Sequence, residues 1–299
     1  MQRDTLIAIG SGLGSAVLFL LVLSGNPVAL LLSYFGHLPL FLTGLWQGPK
    51  RLLVAAFAAC SALVLLGGLL PFTVFMFVFA GPAMLLTRMA LVVRKDQNGN
   101  LAFIPSGVVV SAMAVMVATV MIIITGTLTA EGLDSEMGVP MTSDVQGLIG
   151  MFKIYFPAIA AVSWLLMLFA NATIAQAILV RAGKNLRPTP KMATFALPGW
   201  SLFAFAVAGF TVGFADGSLA YVARNVAVVL AVPFLFQGLA LVHGQAARWP
   251  QKRMILTVFY IVTVLSSWSF IAICGLGIVE HLIRLRGNQP MTRGNEEDR

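Results

Sequence analysis

Side chains able to do chemistry are sparse in this 299-residue sequence, and the first to weigh is Arg224, followed by Asn225 inside an otherwise apolar run. A cation there must be paired, must reach back to the interface, or must hold a bound group. Arg224 stands about five residues into its run, roughly 8 Å deep at the helical rise. That depth suits either reaching the interface or gripping an anion. Asp216 opens the same run. An acid at a helix start is favoured by the backbone dipole, so energetic coupling of Asp216 with Arg224 is expected. The other polar groups within apolar runs are Asn171, Gln176 and Gln237. Together with Arg224, Asn225 and Asp216 they form the candidate binding set.

Catalytic readings fail on spacing. Asp216-Gly217 and Ala223-Arg224 invite comparison with the CDP-alcohol phosphotransferase signature, in which two residues separate the pairs and two more aspartates follow. Here residues 218–222 intervene, and no acid follows until Glu280. A rhomboid-type protease needs a Gly-x-Ser nucleophile on a helix with a histidine opposite, and no such arrangement is present. The histidines (His37, His243, His281) and cysteines (Cys60, Cys274) are scattered, without metal-ligand spacing or a disulfide framework. The expectation is a protein that is not an enzyme and needs no metal or cofactor.

The elements that must position these groups are helices in a membrane. Hydrophobic residues make up 59% of the chain and charged ones 10%, against roughly 25% charged in soluble domains. Apolar runs near 20 residues recur, each able to cross about 30 Å of hydrocarbon. The fold class read from this is all-α, a polytopic transmembrane bundle. Clear spans are expected at 5–23, 27–46, 52–70, 71–93, 105–128, 154–180, 197–215 and 219–242. Pro39 predicts a kink in the second span and Gly81-Pro82 an interruption in the fourth. His37 is expected as a neutral, hydrogen-bonded core histidine. Gly10 and Gly14, Gly12 and Ala16, and Gly209 and Gly213 have the spacing of close-packing faces, within the bundle or on a partner.

The stretch 254–283 exceeds one crossing and falls short of two. It is expected to be broken or re-entrant near Ser266 to Ser269. Residues 1–286 read as one integral membrane domain and 287–299 as a disordered polar tail.

The formal net charge of +8 does not point to nucleic acid, because Lys and Arg fall in the short connections between spans. The basic connections at Lys50-Arg51, Arg94-Lys95, 181–191 and 248–253 are expected to be cytoplasmic. The stretch bearing Glu131, Asp134, Glu136 and Asp144 is expected on the opposite side. This orients the chain with a cytoplasmic N-terminus, and an inner membrane is the expected location.

The succession NATIAQAILVRAG, FALPGW, FLFQGLALVHG and GLGIVEHLIRLRG resembles the uncharacterised bacterial multi-spanning membrane proteins of the YybS type. It is more loosely similar to the substrate-binding S-components of energy-coupling-factor vitamin transporters. The matching positions are Asn171, Leu197-Pro198, Trp200, Asn225, Gln237-Gly238, Gly277, Glu280 and Arg286. Glu280 stands where that family has an aspartate, and Arg284 where an acid is expected. The resemblance implies a transport-type solute-binding bundle taking a small-molecule solute. No P-loop is present, so powered transport would need separate energising subunits. The alternative is a structural or regulatory envelope protein without transport activity, its bundle anchoring a partner in the bilayer.

Overall fold

The computed structural model describes residues 2–95, 99–130, 143–190, 192, 195–266 and 268–287, with the side chains of 127–130, 143–153 and 287 outside that description. The acidic residues Glu131, Asp134 and Glu136, the Asp144 side chain, and the tail after Gly287 lie outside it too. The architecture is an all-α polytopic bundle. Among the described residues, eight helical stretches are long and apolar enough to cross a membrane. The chain divides into two compact units: Met1–Val117 with Tyr155–Pro190, and Ala118–Ile154 with Lys191–Arg299.

In the first unit, α1 (Gln2–Leu20) packs on α3 (Leu38–Gln47) and α4 (Pro49–Gly67). Contact is closest at Gly12, where a Cβ would overlap the Ala55 carbonyl, so only glycine permits this approach. Hydroxyls knit the seam: Ser15 Oγ donates to the Gly36 carbonyl, Thr43 Oγ1 to Ser11 Oγ, and Ser11 Oγ to the Pro39 carbonyl. The expectation of close packing at Gly10, Gly14, Gly209 and Gly213 is corrected as far as the bundle itself is concerned. A Cβ at any of these would meet nothing within 4 Å. Spacing alone does not say which face of a helix meets a neighbour.

The second span is two helices, α2 (Pro27–Ser33) and α3, separated by a turn at 34–37. Pro39 is in the first turn of α3, where its missing N–H costs nothing. The outcome is a restart of the helix rather than a kink. The fourth span passes from α5 (Leu69–Phe75) through a π-turn, Met76–Ala80, into α6 (Gly81–Leu91). The polar connection after it pairs its flanks as a short antiparallel ribbon, β1 (Val93–Lys95) with β2 (Leu101–Phe103). Then come α7 (Ser106–Ala130) and α8 (Ser143–Arg181), both of which contribute to the two units.

The second unit adds α9 (Trp200–Phe214), α10 (Gly217–Ala246), α11 (Lys252–Leu265) and α12 (Trp268–Gly287). The expected seventh span proves shorter than a crossing, at 15 residues, about 22 Å. Pro198 biases Leu197 away from helix, and residues 195–198 stay outside any helix, so α9 starts late. The break in the last apolar stretch falls where expected, at Ser266. It leaves α11 with 14 residues and α12 with 20. The eighth crossing-length helix is therefore α12. It packs along α10, with Gly277 against the Phe234 carbonyl and Gly238 against the Ile273 carbonyl.

Candidate functional site

The candidate site follows from a missing donor. In an α-helix the Val78 carbonyl would accept from the residue four positions on, but that residue is Pro82, which has no N–H. The π-turn routes the Gly81 N–H to the Met76 carbonyl instead. The Val78 carbonyl is thus released inside the bundle, where an unpaired polar group is costly. Two side chains answer it. His37 Nε2 lies 2.9 Å from it and Trp164 Nε1 donates to it at 3.2 Å.

His37 belongs to the turn that breaks the second span. It is fully buried, and its ring stacks on Phe79 at 4.3 Å between centroids and on Phe41 at 6.1 Å. A carbonyl can only accept, so Nε2 carries the proton and Nδ1 presents a lone pair. That Nδ1 is buried and has no partner among the described residues. The reading of a neutral core histidine with a hydrogen bond holds for one nitrogen and leaves the other open. π-turns and broken helices at membrane depth recur where a bundle does more than span.

Asn171, from α8, serves the same broken turn. Its Nδ2 donates to the Tyr34 carbonyl at 2.8 Å and to the Met167 carbonyl at 2.8 Å, while Oδ1 is buried without a partner. Two buried acceptors thus stand at the two ends of the 34–37 turn, His37 Nδ1 with Phe79 and Phe41 beside its ring and Asn171 Oδ1 at the Tyr34 end. The group can accept hydrogen bonds from a ligand, and among the described residues no cluster of His, Cys, Asp or Glu could hold a metal.

The other candidate residues go elsewhere. Gln176 Nε2 donates to the Arg187 carbonyl at 2.7 Å, bracing the connection after α8. In the second unit, Asn225 is fully buried and donates to the Ile154 and Tyr221 carbonyls. Gln237 accepts from the Leu197 N–H at 3.2 Å, which fastens the FALPGW segment to α10, and its Nε2 has no partner among the described residues. Nearby, Arg284 pairs with Glu280 at 2.7 Å and donates to the Phe195 carbonyl. Arg284 and Glu280 thus form an i, i+4 ion pair within α12.

Arg224 is half-buried and makes no ion pair or hydrogen bond among the described residues. Asp216 is at the N-cap of α10, exposed, and its side chain bonds no backbone N–H. The expected Asp216–Arg224 pair does not form. Asp216 has extended backbone, and nothing folds its carboxylate back over the first turn. Sequence reading missed Trp164, although the Val78-to-Pro82 spacing was a signal that a donor had to be found for Val78.

One prediction arises here. His37→Phe and Trp164→Phe each leave one donor on the Val78 carbonyl, and each should cost about 1 kcal/mol of stability in detergent. The double variant strands that carbonyl, so its cost should exceed the sum of the two by about 1–2 kcal/mol. Thermal unfolding of all four proteins measures this, and strict additivity would show that the carbonyl is satisfied some other way.

The family model described as a predicted membrane protein (DUF2232) matches residues 15–280. No curated protein and no solved structure matches the chain. The match covers most of the sequence, including the broken second span, the π-turn and α10, so the chain belongs to the DUF2232 family of membrane proteins.

Proposed function

We propose that this member of the DUF2232 family is a transport-type solute-binding bundle, in keeping with the resemblance to energy-coupling-factor S-components. It would work with separate energising subunits. The observation carrying this reading is the open, buried Nδ1 of His37 at the break in the second span. Solutes in membrane carriers bind where helices are discontinuous near mid-membrane. His37 is about halfway along the Pro27–Gln47 span. An ionisable residue at that depth is a functional site by default. The acceptors His37 Nδ1 and Asn171 Oδ1, with Phe41 and Phe79 beside His37, suit a small, flat solute that donates hydrogen bonds and carries no negative charge. Lys and Arg in the connections support a cytoplasmic N-terminus in an inner membrane.

A second reading is favoured by a specific pattern. Asn171, Gln176 and Asn225 direct their amide N–H groups to backbone carbonyls, as side chains do when they only knit a bundle. A structural or regulatory envelope protein would need no more than that.

Native mass spectrometry of the purified protein separates the two. The binding reading expects a co-purified small molecule on the wild type, reduced at least tenfold by His37→Phe and retained by Arg224→Met. Loss in Arg224→Met alone would move the binding centre to the second unit and sink the proposal for His37. No small molecule on any of the proteins, with all of them folded by circular dichroism, favours the envelope reading.

A further inference from the structure

The end of α10, the turn at 247–251 and the start of α11 form a groove with α12 that plays no part in the candidate site. Its walls include Leu241, Val242, Ala246, Ile255 and Leu276, with Trp249 from the turn. It holds about 460 Å³, and its lining is almost wholly apolar. That size is in the range of small-molecule sites. The one polar side chain in the lining is the amide of Gln245, and the rest offers the apolar surface that an acyl chain needs.

The charge at this groove is one-sided. The turn and the first residues of α11 carry Arg248, Lys252 and Arg253, all exposed, and no carboxylate falls between Gln245 and Ile255. None of these cations has an ion-pair partner among the described residues. Trp249, 61% exposed, has the amphipathic ring that settles at the level of lipid headgroups. The outer wall is loosely held, since α11 buries only Thr263. An apolar slot beneath unpaired cations and an interfacial tryptophan matches a molecule with an acyl chain and a phosphate.

We propose that this groove seats an acyl chain of an anionic phospholipid, with its phosphate on Arg248, Lys252 and Arg253. A zwitterionic lipid would bring a second cation towards the same three and is disfavoured. Occupancy would fasten α11, by filling the space between it and α10.

The test is native mass spectrometry of delipidated protein titrated with dioleoylphosphatidylglycerol or dioleoylphosphatidylcholine. The anionic lipid should bind at least tenfold more tightly. Each juxtamembrane cation contributes about fivefold, so Arg248→Gln, Lys252→Gln and Arg253→Gln combined should bring the anionic lipid to the level of the zwitterionic one. Leu276→Trp narrows the slot without touching charge, and should weaken both lipids several-fold. Leu276 is 45% exposed, so the larger ring is accommodated without disturbing the core. Glycerol phosphate, a headgroup without a chain, should not compete. Equal binding of the two lipids, an unchanged triple variant, or displacement by glycerol phosphate would each overturn the proposal.

Discussion

Gly277→Ala is expected to destabilise the protein strongly, by about 3 kcal/mol, while the same substitution at Gly213 raises stability. At Gly277 the added methyl would overlap the Phe234 carbonyl oxygen, and at Gly238 it would overlap the Ile273 carbonyl oxygen. Both obstacles are backbone in a facing helix. No rotamer change relieves them, so α10 and α12 must separate. Separation loses the contacts of every side chain along the seam, among them the Phe234–His281 edge contact at 5.9 Å. The two glycines share one crossing. Their double variant should therefore cost much less than the sum of the singles, because the first methyl has already parted the helices.

At Gly209 and Gly213 a Cβ meets nothing within 4 Å. There alanine simply gains helix propensity, up to about 1 kcal/mol. Thermal unfolding in detergent reads all of these. Equal effects at Gly277 and Gly213 would mean that α10 and α12 do not cross at these residues.

Arg187→Ala is expected to cost about 2–4 kcal/mol, and Arg187→Lys to recover less than half of it. From the connection after α8, its guanidinium donates to the Ala90 carbonyl at 2.9 Å and to the Ile104 carbonyl at 2.8 Å. It also sits 5.4 Å from the centre of the Phe103 ring. One side chain thus ties the end of α6 to the entry of α7. Its own backbone carbonyl is held by Gln176 and by Asn185 at 2.9 Å. Burial lowers the Arg187 pKa from its ordinary value, which starts so high that the group stays charged at neutral pH. Lysine keeps the charge but has one point-like head, whereas the guanidinium reaches two carbonyls with separate N–H groups. Chemical unfolding of the three proteins decides it. If Lys matches Arg, the contribution is charge alone and the two-carbonyl clasp is unimportant.

Both predictions rest on residues that the sequence left unremarkable. Arg187 reads as one more cation in a basic connection, since nothing local shows that Ala90 and Ile104 present carbonyls to it. Gly277 and Gly238 drew notice only through a family resemblance, whereas Gly209 and Gly213 have the better small-residue spacing. That spacing identifies a face on which helices can approach, but the neighbour that uses it belongs to another part of the chain. Arg224 shows the converse. Its chemistry stood out in an apolar run, yet the structure gives it no partner among the described residues.

The sequence by itself determined what short-range physics can determine. Runs of apolar residues near the membrane thickness dictate crossing helices, because in lipid the backbone must satisfy its own hydrogen bonds. Gly81-Pro82 marks where that satisfaction fails, and the π-turn appears beside it, whereas Pro39 stands in the first turn of a restarted helix and Pro198 just ahead of a late-starting one. Tertiary structure alone decided what repairs the interruption. The Val78 carbonyl, freed by Pro82, could have met any donor in the bundle. That it meets His37 and Trp164, from the broken second span and from α8, depends on how helices far apart in sequence pack. The same packing leaves Nδ1 of His37 open, which turns a core histidine into the candidate site.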